Sequence, residues 1–215
     1  DSGGGVSVAI IRWAPSVNVA DQLQRVARQD AKATWANAEV TRLQQVDVRK
    51  PPSDWYYLWE LGSSQVYAEV TPQAAADAPK RAIDLHTHND VAILQKDTAF
   101  ELTPNTKLMW KWKVDKIPAK VAENSLPTHD YMSIAVEFDN GRDITFFWSN
   151  NLPVGTSFHC PLPGWDHRET HIVARSGTAD LGKWLNEDMN LFEHYRKAVG
   201  GEMPKRITRV WLIAV

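Results

Sequence analysis

The spacing of hydrophobic and polar residues changes along the chain, from a helical period near the N-terminus to a strand period over the rest. Residues 6–13 (VSVAIIRW) are rich in β-branched side chains and predict a short strand. Over residues 19–33 apolar residues recur at the spacing of one helix face, which predicts an amphipathic helix. The Pro-rich stretch at residues 49–54 ends this pattern. We therefore predict a strand-and-helix extension over residues 1–48 and a β-sandwich domain over residues 49–215.

Beyond the Pro-rich stretch, short alternating runs of apolar and polar residues are separated by turn residues, which is typical of antiparallel strands. Asn140-Gly141 joins two of these runs and predicts a hairpin in which both turn residues have positive φ. Many short strands with little helix predict a mostly β fold, an antiparallel β-sandwich or jelly roll. The predicted strands cover residues 54–61, 65–71, 82–86, 90–102, 107–114, 131–138, 143–149, 170–176 and 206–215.

One short helix is predicted near the C-terminus, over Leu191 to Val199. Asn190 precedes it as a capping residue, and Glu193 stands at the third position. Gly200 follows directly, where glycine commonly ends a helix. The predicted fold class is thus mostly β, with an N-terminal amphipathic helix and one short C-terminal helix.

Strand alternation also predicts which side chains share a face. Trp110 and Trp112 share one face of their strand, and Ile207, Arg209 and Trp211 share one face of the C-terminal strand. Each buried Trp removes on the order of 200 Å² from water, so these Trp residues are predicted to form the sandwich core. The alternative is that the rings line a cleft and stack on a sugar or a polycyclic hydrocarbon.

The segment WYYLW carries four rings in five positions, and alternation prevents all of them from facing one core. We predict that Trp55, Tyr57 and Trp59 line a cleft that binds a carbohydrate or another small molecule. The other predicted ligand-binding residues are Lys111, Tyr131 and Arg175.

Composition and charge narrow the class of protein. The 215 residues include 24 Lys plus Arg and 26 Asp plus Glu, a formal net charge of -2. Nucleic acid is therefore not an expected partner, because binding it needs a basic surface. No apolar run approaches the roughly 20 residues of a membrane helix, so no membrane span is expected. The single Cys160 cannot form an internal disulfide and is expected to be a small buried residue rather than a nucleophile.

Histidines are the main candidates for chemistry. His86 and His88 would share one face of an extended strand, which is the two-ligand spacing of several zinc sites. Such a site needs a further ligand brought in by folding, and the candidates are His129, His159, His167 and His171. The alternative is a polar turn whose imidazoles face water. No metal or other cofactor is the expected state, with zinc as the alternative.

A histidine next to a carboxylate can also move protons, because an imidazole pKa near 6.5 allows uptake and release at neutral pH. On this basis the candidate catalytic residues are His86, His88, His129 and Asp130. Asp130 is in addition predicted to form a buried charged pair with Lys111 or Arg175. Solvated loop charge is the alternative for each of these groups.

Several motifs together carry a family resemblance. They are LMWKWKV at residues 108–114, HDY at 129–131, VEF at 136–138, ITFFW at 144–148 and HIVARSG at 171–177, with Gly155, Trp184, Glu187 and His194-Tyr195. In their order and spacing they resemble the bacterial family called domain of unknown function 3047, over about residues 35–215. The resemblance implies a β-sandwich, often exported from the cytoplasm, and implies no activity. This chain departs from its relatives at His129 and His194, where they usually carry acidic residues.

Three classes of function remain open. The first is a binding module that holds a carbohydrate or small molecule in an aromatic cleft. The second is a lyase, isomerase or hydrolase that acts on a ring-shaped or apolar substrate through its histidines. The third is an assembly protein that polymerises by strand addition. The expected location is periplasmic or secreted.

The C-terminal run ITRVWLIAV predicts an apolar strand, and no partner strand follows it in the sequence. Such a strand is expected to leave an exposed sheet edge, where strand addition can occur. Residues 6–13 would then supply the partner strand, in the same subunit or in a neighbour. The alternative is that a natural strand follows Val215.

Overall fold

The computed structural model describes residues 54–58, 67–70, 72, 77–85, 92–117, 122–125 and 132–214. The predicted N-terminal strand and amphipathic helix lie outside these residues. The described part is mostly β, as the alternation predicts. Its strands are β1 Tyr56–Tyr57, β2 Tyr67–Val70, β3 Ala82–Leu85, β4 Ala92–Glu101, β5 Lys107–Trp112, β6 Met132–Phe138, β7 Asp143–Ser149, β8 Ser157–His159, β9 Glu169–Ser176, β10 Leu185–Asn190 and β11 Arg206–Ala214.

The described residues form a seven-stranded sheet in the order β1-β4-β11-β6-β7-β9-β8. Within it β7 and β9 run parallel, and the other neighbouring pairs are antiparallel. The parallel pair departs from the purely antiparallel sheet that the sequence predicts. A parallel pair needs a crossover of about a dozen residues or more, and the connection over residues 150–168 provides that length.

Strand β11 lies inside this sheet, paired with β4 on one side and with β6 on the other. The prediction of an exposed edge at the C-terminal strand is therefore wrong. Both partners are remote in sequence, since Ile213 pairs with Ile93 and with Ser133, and local pattern does not reveal such pairing. The reason for expecting residues 6–13 to complete this strand is thereby removed.

Register shifts in the seven-stranded sheet change which side chains share a face. In β11 the register shifts between Ile207 and Arg209, so Ile207 joins the core while Arg209 lies on the opposite face with Trp211. The prediction that Ile207 and Arg209 share a face is wrong, because one extra residue inverts the alternation. A second shift, in the β7–β9 pair, places Arg175 opposite Trp148.

The predicted Asn140-Gly141 hairpin joins β6 to β7. The Gly141 N–H donates to the Phe138 carbonyl at 3.0 Å, and the Phe138 N–H donates to the Arg142 carbonyl at 2.9 Å. Gly141 has positive φ, 76°, and Asn140 does not, so the predicted turn geometry is wrong at Asn140. The loop holds three residues rather than two, and a loop of this length needs a single left-handed residue at its end.

The predicted C-terminal helix begins as α1, Leu191–His194, and continues as a π-helical turn over Tyr195–Val199. The Asn190 side chain accepts the Glu193 N–H at 2.9 Å, as predicted for a cap. Gly200, with φ 71°, ends the helix as predicted. Within the described ranges, no helix combines the length and the apolar character that crossing a membrane requires.

One face of the seven-stranded sheet packs against the C-terminal helix and against β5 and β10, which pair as a separate two-stranded sheet. The Trp112 ring lies 5.5 Å from that of Trp148, and Phe138 lies 5.0 Å from Tyr195. Burial of Trp112 and Trp211 is confirmed, whereas Trp110 is half-buried at the margin of this core. Strands β2 and β3 form another two-stranded sheet.

Strands β8 and β10 are absent from the prediction. The sequence of β10, LNEDMN, is rich in Asn, Asp and Glu, which are depleted in strands. It is a strand because all six residues pair with β5. Strand β8 has three residues, too few for a recognisable alternation.

Candidate functional site

The face of the seven-stranded sheet opposite the larger core carries charged side chains beside a smaller apolar cluster around Trp211. Directly paired residues share a face, so the register places charged side chains from neighbouring strands side by side. The row consists of Asp97 on β4, Arg209 on β11, Glu137 on β6, Asp143 on β7 and Glu169 on β9. Cys160 extends it past β8, since the Cys160 N–H donates to the Glu169 carbonyl at 3.0 Å. We call these six residues the charged row.

Two guanidinium groups bridge the carboxylates in the middle of the charged row. Arg209 Nη1 donates to Glu137 Oε1 at 2.5 Å, and Arg209 Nε lies 3.6 Å from Asp97 Oδ1. Arg168 Nη2 donates to Glu137 Oε2 at 3.4 Å, and Arg168 Nε lies 3.5 Å from Asp143 Oδ2. Among the described residues the row and Arg168 together carry four carboxylates and two guanidinium groups, an excess of negative groups.

The loop before β9 covers this middle part. Its Arg168 guanidinium lies 5.0 Å from the centroid of the Trp165 ring and 5.8 Å from that of Trp211, within the range of cation–π contacts. Glu137 and Asp143 are correspondingly buried. These two carboxylates are therefore closed to solvent, and the two ends of the charged row differ from each other.

The end at β4 and β1 is exposed. Tyr56 Oη donates to Asp97 Oδ2 at 2.8 Å, and Gln95 Nε2 donates to Asp97 Oδ1 at 2.9 Å and to the Tyr56 hydroxyl. Trp211 Nε1 donates to Gln95 Oε1 at 2.8 Å and links this group to the middle of the sheet. The side chains of Asp97 and Arg209 are 64% and 43% exposed, so both reach solvent.

The hydrogen bonds at this end decide which groups are charged. Those from Tyr56 and Gln95 lower the pKa of Asp97. Partial burial and the hydrogen bond to Asp97 raise the pKa of Tyr56. At neutral pH Asp97 is therefore an anion and Tyr56 a protonated donor, a carboxylate and a hydroxyl beside the Arg209 cation.

The other end, at β8 and β9, is buried and carries metal-binding residue types. Cys160, Glu169 and His171 each place one ligand atom within 4.8 Å of the others, and all three residues are buried. His171 Nε2 lies 3.4 Å from Glu169 Oε1. Thiolate, imidazole and carboxylate are the ligands that zinc uses in proteins. Of the histidines proposed as a further ligand, His171 joins this cluster, whereas His159 and His167 are exposed.

Burial raises the pKa of the Cys160 thiol to about 11. The Glu169 carboxylate also raises this pKa, whereas the hydrogen bond with His171 lowers it. The thiol is protonated at neutral pH, which disfavours it as a nucleophile in the metal-free protein. The predicted burial of Cys160 is confirmed.

Most of the predicted site residues lie outside the described residues and stay predictions. These are His86, His88, His129, Asp130, Trp59 and Tyr131. Tyr57 belongs to β1, where it pairs with Leu94, and Trp55 is half-buried just before it. In the same segment the structure places Tyr56 at the exposed end of the charged row.

The predicted residues Lys111 and Arg175 have partners away from the charged row. Lys111 is exposed, and its Nζ donates to the Asp77 carbonyl at 2.9 Å. Arg175 Nε donates to Glu187 Oε1 at 2.6 Å, and Trp112 Nε1 donates to the same oxygen at 2.9 Å. The exposure of Lys111 does not fit a buried pair with Asp130. Asp130 itself lies outside the described residues.

Sequence reasoning missed the charged row itself. Glu137 within IAVEF and Arg209 within ITRVW are charges inside apolar strand sequences, a local signal that could have marked them. Glu169 and Asp143 stand at the first positions of their strands, where a charge is unremarkable. Their alignment depends on pairing between strands remote in sequence.

A mostly β domain, with one apolar and one charged face on its central sheet, is the class of protein that these observations define. The chain belongs to the family described as protein of unknown function (DUF3047), which matches residues 64–215. The resemblance found in the motifs is confirmed over those residues. No curated protein matches the chain.

Proposed function

We propose that the domain binds a polyhydroxylated small molecule, in the first instance a carbohydrate, at the exposed end of the charged row. The observation that carries the proposal is the group of Tyr56, Asp97 and Arg209, where a row of charges that is buried over β6, β7 and β9 emerges to solvent. Buried charges in a sheet are costly to stability. A row of buried charges that ends in a solvent-exposed polar group is explained better by a ligand-binding site than by a contribution to stability.

The chemistry of this group matches a sugar. The Asp97 carboxylate accepts hydrogen bonds from hydroxyl groups, and the Arg209 guanidinium donates two or more in a plane. The Tyr56 ring is 42% exposed and offers an aromatic surface beside these polar atoms. A few fixed polar groups next to an aromatic ring are typical of small-molecule sites.

The aromatic residues first predicted to line the cleft, Trp55, Tyr57 and Trp59, belong to the same chain segment as Tyr56. The proposed site therefore lies in the same chain segment as the residues predicted to line the cleft. Binding is preferred to catalysis because the pKa of Tyr56 is raised and that of Asp97 is lowered, both away from neutrality, whereas acid–base catalysis usually requires the opposite.

We also propose that the whole domain is a β-sandwich, because β5 and β10 already pack across the apolar face of the seven-stranded sheet. An experimental structure of the full chain in which β2 and β3 extend the β5–β10 sheet would support this architecture. One in which β2 and β3 pack elsewhere would overturn it.

The ligand proposal is tested by screening the full chain on an array of oligosaccharides and measuring the strongest match by isothermal titration calorimetry. Asp97→Asn and Tyr56→Phe remove one charge and one hydroxyl from the proposed site. Asp188→Asn is the matched control, because Asp188 is also exposed and also pairs with a cation, Lys107, but lies on β10.

We expect the two site variants to bind about tenfold more weakly or worse, since a hydrogen bond to a charged group contributes about 1.5–3 kcal/mol. Asp188→Asn is expected to bind as the wild type does. An array on which no oligosaccharide is retained would contradict the proposal. Binding by Asp97→Asn and Tyr56→Phe that is as strong as that of the wild type would contradict it as well.

A further inference from the structure

The buried end of the charged row combines three different metal-ligand types in one place. Glu169 and His171 stand two residues apart on β9, so both side chains lie on the same face. Cys160 follows β8 directly opposite Glu169, held there by the backbone hydrogen bond of 3.0 Å. Strand pairing, not a mobile loop, thus brings together the three ligand atoms within 4.8 Å.

The spacing suits a tetrahedral ion. Ligand atoms at about 2.0–2.3 Å from zinc are roughly 3.3–3.6 Å from each other. His171 Nε2 and Glu169 Oε1 are 3.4 Å apart and need no rearrangement. The Cys160 sulfur lies within 4.8 Å of both, so a rotation of its side chain would bring it to the spacing of a ligand.

Neighbouring side chains hold two of the three ligands in orientation. Thr145 Oγ1 donates to Glu169 Oε1 at 3.1 Å. The Phe158 ring stacks on His171 at 5.2 Å with an angle of 10°, and Phe147 meets the same imidazole edge-on at 5.9 Å. Such outer contacts fix the orientation of the ligands in known metal sites.

We propose that Cys160, Glu169 and His171 bind one zinc ion. The thiolate and the carboxylate neutralise the two positive charges, and the thiol proton passes to solvent when the metal binds. The ion would face a row with an excess of carboxylates, which favours a cation at this position. Three protein ligands leave one tetrahedral position for water or another donor. This inference is independent of the carbohydrate proposal, because its residues lie at the opposite end of the row.

The test uses the full chain freed of metal by dialysis against a chelator and titrated with Co²⁺, which replaces zinc and reports its ligands by absorption. Zn²⁺ is then added to displace the cobalt. Cys160→Ala and His171→Gln remove one ligand each. His159→Gln is the matched control, because His159 neighbours Cys160 but is exposed and sits at the alternate position of β8.

We expect the wild type to bind one Co²⁺ per chain with a near-ultraviolet thiolate-to-cobalt band, and Zn²⁺ to abolish that band. Cys160→Ala should lose the band, and His171→Gln should bind about tenfold more weakly or worse. His159→Gln should match the wild type. A wild-type spectrum without the thiolate band overturns the proposal even if a variant does not fold. A band that persists in folded Cys160→Ala overturns it as well.

Discussion

Glu187 is a buried carboxylate that two donors from different strands hold in place. Its Oε1 accepts from Trp112 Nε1 and from Arg175 Nε, and the Arg175 side chain is 34% exposed. Removing one partner of a fully buried pair costs about 3–5 kcal/mol, and the partial exposure of Arg175 reduces this value. We therefore expect Arg175→Met to lower the free energy of unfolding by about 1–3 kcal/mol, measured by urea denaturation.

The double variant Arg175→Met with Glu187→Gln tests the physical reason. The amide introduced by Glu187→Gln would keep an acceptor for the Trp112 indole and leave no unpaired charge, so the double variant should regain stability over Arg175→Met. A double variant less stable than Arg175→Met would show that lost packing, not unpaired charge, causes the effect. The exposed pair of Lys107 and Asp188 is the comparison, where Lys107→Met should cost less than about 1 kcal/mol.

His194 gives the stability of the protein a pH dependence. Burial, with the Lys197 charge nearby, lowers the pKa of His194, whose ring meets that of Phe146 at 5.2 Å. The unfolded state, with a pKa of about 6.5, then binds a proton more readily than the folded state. The stabilising contribution is present above that pH and is lost as pH falls through the folded pKa.

We therefore expect His194→Gln to flatten the decline in the free energy of unfolding below about pH 6.5, measured by urea denaturation at several pH values. His167→Gln is the control, because it removes a histidine that is exposed rather than buried. Identical pH profiles for the wild type and His194→Gln would contradict the assignment.

At the scale of elements, the C-terminal helix depends on its cap. Asn190 Oδ1 accepts the Glu193 N–H, and its Nδ2 donates to the Pro104 carbonyl at 2.8 Å, which ties the helix start to the loop before β5. Asn190→Ala should lower the free energy of unfolding by about 1–2 kcal/mol. Asn190→Asp keeps the capping acceptor and should lose less. Equal losses in thermal unfolding for the two variants would mean that the cap contributes nothing.

Elements set by neighbouring residues could be predicted, and those set by remote pairing could not. The helix over Leu191 to Val199 and the hairpin at Asn140-Gly141 follow from residues within a few positions of each other. The β10 strand and the bulge before Arg209 are decided by partners far away in sequence. A periodicity of two carries no information about where an extra residue is inserted.

At the scale of the whole molecule, the two faces of the central sheet differ in composition. The apolar face, around Phe146 and Trp148, packs against the helix and β5–β10 and forms the larger core. The opposite face carries the charged row and a smaller apolar cluster around Trp211. This asymmetry locates the candidate site on one side of the sheet.

Only part of the candidate site could be predicted from the sequence, because its residues are brought together by strands that are remote in sequence. Trp55, Tyr57 and Trp59 are predicted to line a ligand cleft, whereas the hydroxyl that donates to Asp97 belongs to Tyr56. His171 was one of four proposed further ligands, whereas its neighbours Cys160 and Glu169 come together only through the pairing of β8 with β9. Register, which places residues from remote segments side by side, is the missing information.

The central claim is that the ligand binds on the charged face of the sheet, and two indole N–H groups report on the two faces. Trp211 Nε1 donates to Gln95 beside Asp97, whereas Trp112 Nε1 donates to Glu187 on the other side. The most direct measurement is a ¹⁵N–¹H correlation spectrum of the indole groups, recorded during titration with the oligosaccharide selected on the array. The two signals are assigned with Trp211→Phe and Trp112→Phe.

We expect the Trp211 signal to shift in proportion to saturation and the Trp112 signal to stay in place. A shift of Trp112 alone, or saturable binding that moves neither signal, would contradict the location of the site on the charged face.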